Sequence, residues 1–456
     1  MELSIVGRNR DETIVALASG PGVAALAVVR ISGTSAHAIA ARLVPGRLPD
    51  ARMIALRTIR GLDGEVLDEA TVIRYDAPSS YTGEDCVEFI CHGGWITPAR
   101  IVKGIVEAGA RPALAGEFTR RAVLNGRLDL LQAEAVDDLI RAESSGSAAQ
   151  ALRQLDGALS ERILSIREQI LCLEALVAYE IDFPDESDES IDGEQIHKAT
   201  RDVITSMDQL LITRFVGELV RHGAVVVIVG PPNVGKSSLF NALLGRRRSL
   251  VTEVPGTTRD AIEAVLDVTP VALRLVDTAG LRETSDAVER LGVAVSREYV
   301  ESAQIVLVCG DSLETLVAAV GDVRGAARGR MLFVRTKSDL VSEEESWPMM
   351  NVIPVSAKTG DGLERLIREV STVIAEEREF PGFDSPVITQ ARHREVLLRA
   401  RSELVAFESA RRVGTIPVTV SAVHLRESVR VLEELIGLVD VDEVLGKLFS
   451  TFCVGK

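Results

Sequence analysis

The chain has 456 residues, 46% of them hydrophobic, and its 51 basic against 67 acidic side chains give a net charge of −16. That length calls for about two to four domains with real cores, and the acidity excludes a protein-wide electrostatic footprint for nucleic acid while leaving room for a local basic patch. No apolar run approaches the roughly 18 residues of a membrane span, the start Met1-Glu2-Leu3-Ser4 lacks a charged region leading into an apolar stretch, and five cysteines without a Cys-x-x-Cys pair argue against a disulfide framework or a zinc site. A soluble protein of a reducing cytoplasm is expected.

Residues 1–120 read as an α+β domain. Thr13 to Ala18 and Ala25 to Ile31 are strand-like and are separated by Gly20-Pro21-Gly22. Ala70 to Tyr75 and Cys86 to Cys91 alternate like strands with one wet face, and Ser35 to Leu43 and Thr97 to Ala108 are helical. From Phe118 to about Leu219 the period changes to that of long packed helices. Leu128, Leu131, Ala135, Val136 and Leu139 recur at helical spacing, and so do Leu152, Leu155, Leu159, Ile163 and Ile166. The acidic run Glu180 to Glu189 reads as a solvated loop. A second helical block follows Ser385, carried by Leu397, Leu398, Leu404, Val405, Val429, Leu432, Leu435 and Ile436. Between the two blocks lies an α/β segment. The expected division is 1–120, 121–219, 220–375 and 376–456, with the third part inserted into a helical domain made of the second and fourth.

Inside the insertion, the β-branched run Val225 to Val229 empties into Gly230-Pro231-Pro232-Asn233-Val234-Gly235-Lys236-Ser237-Ser238, and Ser238 to Leu244 reads as a helix that stops at Gly245. Strand, glycine loop and helix are the context in which Gly-x-x-x-x-Gly-Lys-Ser holds phosphate. Backbone N–H groups converge on the oxygens, Lys236 supplies a point charge, and the Ser237 hydroxyl is placed for Mg²⁺. Ala261 to Val268 and Val271 to Val276 read as an antiparallel pair running into Asp277-Thr278-Ala279-Gly280, where the carboxylate can hold Mg²⁺ through water and Gly280 can offer an N–H to a γ-phosphate. The strand Ile305 to Cys309 follows. Met331 to Val334 ends in Thr336-Lys337-Ser338-Asp339, where a carboxylate can accept hydrogen bonds from the N–H and NH₂ of guanine that adenine lacks. Val352 to Val355 ends in Ser356-Ala357-Lys358, also suited to a base edge. In this order at strand ends, the motifs predict a GTPase.

The set resembles the Ras-like GTPases. Thr336 stands where that family usually has Asn, which ties this loop to the phosphate loop, so guanine specificity is expected with a weaker clamp. Leu281 replaces the glutamine that orients water in Ras-like proteins, so hydrolysis must be organised differently. Asn233 and the core Gly256-Thr257-Thr258-Arg259-Asp260 resemble the potassium-activated GTPases, with most force the MnmE (TrmE) family of tRNA-modification GTPases. That resemblance also takes in Gly83-Glu84-Asp85, His92-Gly93-Gly94, Gly116 to Ala122, Asn125 to Leu130, Gln132 to Ala135 and Phe452 to Lys456.

The resemblance implies that GTP is held by Asn233, Val234, Gly235, Lys236, Ser237 and Ser238, and by Thr252, Glu253, Val254, Pro255, Gly256, Thr257 and Thr258. It adds Asp277, Thr278, Ala279 and Gly280, then Thr336, Lys337, Ser338, Asp339, Ser356, Ala357 and Lys358. K⁺ would be held by Asn233, Thr252, Val254 and Thr257, and Mg²⁺ by Ser237 and Thr258. Glu289 would position water, beside Asn233 and Lys236, although on the residues alone Glu289 reads as a solvated helix-start residue. The N-terminal domain would bind a tetrahydrofolate one-carbon derivative (5-formyl or 5,10-methylene) through Arg30, Glu88, Arg127 and Lys456, with Glu84 the competitor of Glu88. An arginine suits the glutamate tail and a carboxylate suits the pterin ring. Val23-Ala24-Ala25 replaces a more glycine-rich stretch of the family. The implied assembly is a homodimer that joins the FAD-dependent protein MnmG in a heterotetramer and adds a carboxymethylaminomethyl group to the wobble uridine of certain tRNAs. The alternative is a regulatory or ribosome-assembly GTPase without RNA chemistry. Cys453 reads as a small buried hydrophobe before a nucleophile, and His92 beside Cys91 lacks the spacing of a metal site.

Overall fold

The computed structural model describes residues 12–182, 193–246, 262–268, 271–277, 298–340, 347, 351–376, 385–413, 417–438, 448–449 and 452–455. These fall into two compact units, one from Met1–Asp137 with Arg430–Lys456, the other from Asp138–Val429.

The first unit is built on a six-stranded sheet. Its strands are β1 (Ile14–Leu17), β2 (Leu26–Ser32), β3 (Ile54–Arg60), β4 (Val66–Tyr75), β5 (Cys86–His92) and β6 (Arg111–Pro112), in the order β3-β4-β5-β2-β1-β6. All neighbours are antiparallel except β1 and β6. Helices Ala36–Leu43 and Thr97–Glu107 bury Ile39, Leu43, Ile101 and Ile105 against Val29, Ile31, Val72 and Phe89. The alternation anticipated for β4 and β5 is therefore that of a sheet with one face on a helical layer. β3 and β6 were not anticipated. In β3 the apolar side chains of Ile54 and Leu56 are exposed while Ile59 is buried, so hydrophobicity along the strand does not mark its buried face. Later in the chain, Leu130 and Ala133 pack on Phe449 and Phe452, whose rings meet edge to face at 5.1 Å.

The second unit holds the other sheet: β7 (Ala224–Val229), β8 (Ile262–Leu266), β9 (Leu273–Asp277), β10 (Ile305–Gly310), β11 (Arg330–Arg335) and β12 (Val352–Pro354), in the order β12-β11-β10-β7-β9-β8. It is parallel except for the antiparallel pair β8 and β9. Continuous runs such as Ile305 to Gly310, buried at every position, arise because both faces are covered. This is the doubly wound arrangement of a Ras-like domain, and its ligand edge lies at the carboxyl ends of the strands.

The flanking helices are Leu130–Ile140, Ser145–Leu155, Ala158–Asp182, Gly193–Ile212, Arg214–His222, Ala391–Val413 and Val418–Ile436. An inserted domain needs its two ends close together, and they are: the backbone N–H of Ile388 donates to Thr213 Oγ1 at 3.1 Å. Gly217 packs so tightly that a Cβ there would lie 1.9 Å from the Ile388 carbonyl oxygen.

Three expectations need correction. The helix after the phosphate loop runs Lys236–Arg246, through Gly245; a helical glycine costs only about 1 kcal/mol relative to alanine, too little to stop a helix by itself. The periodic run from Leu152 to Ile166 breaks at Asp156-Gly157, with Gly157 at φ 99°, and Leu152 is exposed. Glu180 belongs to a helix rather than a loop and receives a hydrogen bond from Arg411 at 3.0 Å; residues 183–192 lie outside the described set.

Candidate functional site

The nucleotide site is assembled at one edge of the second sheet. β7 ends at Val229 and the chain turns at Gly230, whose added Cβ would stand 2.4 Å from the Cys309 carbonyl oxygen. Only glycine allows the loop to rise so close to β10. Asn233 adopts a left-handed backbone at φ 64° and Gly235 another at φ 98°. Alternating backbone hands of this kind turn successive N–H groups inward, which is how a loop makes a nest for anions. Lys236 is 7% exposed and its Nζ donates to the Pro231 carbonyl at 2.8 Å, so the ammonium lies folded over the loop. Ser237 and Ser238 follow in the first turn of the helix, both exposed. Asp277 ends β9 opposite Ile228, two residues before Gly230, and is buried.

The base side is formed by the loops after β11 and β12. Thr336 is buried and its hydroxyl donates to the Val234 carbonyl. The tie between this loop and the phosphate loop is therefore present, made by a hydroxyl where the family usually has an amide. Lys337, itself left-handed at φ 54°, donates from Nζ to the Asn233 carbonyl at 2.8 Å and to Asp311 Oδ2 at 2.9 Å. That hydrogen bond, the largest influence on it, holds the Asp311 carboxyl below its ordinary range. Asp311 was not singled out from the sequence, because an acid one residue past a strand has no motif. Ser356 donates its hydroxyl to Asp339 Oδ1 at 2.7 Å and so fixes that carboxylate at the cavity wall. Together Gly235, Ser238, Thr336, Asp339, Ala357 and Lys358 line a cavity of about 300 Å³, the scale of a nucleoside.

Of the remaining GTP, K⁺ and Mg²⁺ residues, Thr252, Glu253, Val254, Pro255, Gly256, Thr257, Thr258, Thr278, Ala279 and Gly280 lie outside the described residues, as do Leu281, Glu289 and Lys456.

In the first unit Arg30 and Glu88 face each other across β2 and β5, and Arg30 Nε donates to Glu88 Oε1 at 2.8 Å. The guanidinium lies over Tyr81 at 4.9 Å and over Phe118 at 5.7 Å, while its buried Nη1 has no hydrogen-bond partner among the described residues. Glu84 is engaged elsewhere, by Ser32 at 2.8 Å and Arg121 at 3.0 Å, so of the two competing acids it is Glu88 that stands with Arg30. Arg127 is exposed beside Gly83 and makes no ion pair with Glu88 among the described residues. His92 Nδ1 pairs with Asp68 at 2.8 Å. Cys453 is exposed, against the expectation of a buried hydrophobe: the segment buries Phe452 beside it, and Cys453 is held through its backbone, where Gly116 N–H donates to its carbonyl at 3.3 Å.

A family model described as the MnmE helical domain matches residues 130–453, and one described as the GTP-binding protein TrmE N-terminus matches residues 13–127. Proteins named tRNA modification GTPase MnmE are similar over nearly the whole chain. That of Moorella thermoacetica is 40% identical over 463 residues, covering 98% of this chain and 100% of its own. Those of Thermus thermophilus and Methylobacterium radiotolerans are 40% and 42% identical, with the same coverage of each chain. The chain belongs to the MnmE family of tRNA-modification GTPases. Among solved structures, the G domain of the T. maritima FeoB iron transporter is 25% identical, covers 33% of this chain and 98% of its own, and superposes at a TM-score of 0.27, at which the likeness carries no inference. An MnmE-family chain thus comprises an α+β N-terminal domain and a Ras-like G domain inserted into a helical domain, as the fold above has it.

Proposed function

We propose that this chain is a K⁺-stimulated GTPase of the cytoplasm that works as a homodimer with the flavoprotein MnmG. On this reading it adds a carboxymethylaminomethyl group to the wobble uridine of certain tRNAs, with the carbon drawn from a tetrahydrofolate derivative. The observation that carries the hydrolytic part is Asn233: its side chain is exposed at the crest of the phosphate loop while its backbone is pinned by Lys337. An exposed amide oxygen on a fixed backbone is a suitable ligand for K⁺, which Thr252, Val254 and Thr257 would complete. A cation beside the phosphates supplies the charge neutralisation that an arginine finger supplies elsewhere. Lys236 stands ready to swing from the Pro231 carbonyl to the outer phosphates, and Ser237 and Thr258 would hold Mg²⁺. Glu289 is the proposed positioner of water.

Arg30 supports the folate reading. Its buried Nη1 has no partner among the described residues, and an anionic carboxylate is the group that satisfies such a donor most fully. Glu88, Arg127 and Lys456 are the proposed companions. The four-part division at 120, 219 and 375 is proposed with it. The rival reading, a regulatory or ribosome-assembly GTPase, has no specific observation in its favour. Mass spectrometry of tRNA from cells lacking this protein tests the proposal: the wobble modification should vanish and return with the restored gene, and its persistence would remove the tRNA assignment.

A further inference from the structure

We infer that this site leaves the purine N7 unread, because position 336 has no proton to spare. The inference deepens the reading of the 300 Å³ cavity as the base pocket and rests on it. Guanine presents donors at N1 and N2, and acceptors at O6 and N7. Threonine owns one hydroxyl proton, and Thr336, 4% exposed, donates it to the Val234 carbonyl. The neighbouring Lys337 directs two of its three ammonium protons to the Asn233 carbonyl and Asp311, which holds the amine on the phosphate-loop side. Ser356 spends its hydroxyl proton on Asp339. With the buried Thr336 and Ser356 hydroxyls so engaged, what their loops keep for the base is an acceptor, the Asp339 carboxylate, which suits the N1 and N2 protons. An asparagine at 336 would carry two amide protons, one for Val234 and one for the purine; threonine removes the second. Ser238 and Lys358 also border the cavity, but both are exposed, where water competes for their protons.

The test is displacement of a fluorescent GDP analogue from the full-length chain, in Mg²⁺ and K⁺, by GTP, 7-deaza-GTP, ITP and ATP. The expected result is that 7-deaza-GTP competes within about twofold of GTP. ITP, which lacks the 2-amino group, and ATP should each be weaker by about tenfold or more. Thr336→Asn should introduce a preference for GTP over 7-deaza-GTP of about fivefold. A tenfold loss for 7-deaza-GTP in the wild-type chain, with GTP still preferred to ATP, overturns the inference and leaves the pocket standing. Equal binding of GTP and ATP overturns the pocket reading and the inference with it.

Discussion

Replacing Thr336 by valine changes one atom group at the joint between the two nucleotide loops. The shape is kept, the hydroxyl is lost, and the Val234 carbonyl loses the proton it accepts. Both residues are nearly dry, Thr336 at 4% and Val234 at 2% exposure, so water replaces that proton poorly. Leaving a buried polar group unpaired costs about 1–3 kcal/mol, and at this burial about 2 kcal/mol is expected. In a unit of this size, 1 kcal/mol moves a melting midpoint by roughly 2–4 °C, so Thr336→Val should lower the midpoint of the transition that added GTP raises by about 4–8 °C. Thr336→Ser keeps the proton and gives up only a methyl group, worth about 0.8 kcal/mol, so it should melt between the two. Differential scanning fluorimetry on the three proteins, with and without GTP, measures this. If the valine protein melts within a degree of wild type, or the serine protein is no better than the valine one, the hydroxyl is not the joint.

The remaining predictions concern the other ends of the molecule. Gly217→Ala would force a Cβ onto the Ile388 carbonyl, and should destabilise the second unit by about 1–3 kcal/mol in urea denaturation; no change in midpoint would show that the ends of the insertion are not packed there. Glu88→Gln should weaken binding of 5-formyltetrahydrofolate, read by calorimetry on the full chain, because it removes the anionic acceptor proposed for the pterin ring; unchanged affinity would separate Glu88 from the proposed folate pocket. His222 is held below its ordinary 6.5 by burial first and by Arg221 and Arg274 next. The folded chain therefore takes up that proton less readily than the unfolded one, so the His222 contribution is fully present above 6.5 and lost as pH falls through the lowered value. Melting midpoints of His222→Gln should fall less steeply than wild type between about pH 6.5 and 5, and parallel curves would contradict the assignment.

Much of the G domain could be read from the sequence because each of its motifs sits where a buried apolar run ends. Five consecutive β-branched or apolar residues before Gly230, or Ile305 to Cys309, admit little but a central parallel strand, and the residues that follow then fall on one edge. The strands β3 and β6 were hidden for the opposite reason: one exposes Ile54 and Leu56, and the other has two residues. Local propensity also misplaced Gly245, where a single exposed glycine costs a helix too little to end it, and the break at Gly157, where a positive φ turns the chain. At the site, Thr336 is the instructive case. Its identity as a departure was plain in the sequence, but whether a hydroxyl could span to the phosphate loop depended on a distance between residues more than a hundred positions apart. Asp311 and the partnering of Glu88 rather than Glu84 with Arg30 depended on the same kind of long-range register.

The account stands most directly on Asn233 as a ligand for K⁺. GTP turnover by the full-length chain, measured as phosphate release in matched KCl and NaCl at fixed Mg²⁺, addresses it. Potassium should raise turnover at least tenfold over sodium, and Asn233→Ala should bring the potassium rate down to the sodium rate while GTP still binds. Equal rates in the two salts, or an Asn233→Ala protein that keeps its response to potassium, would contradict it.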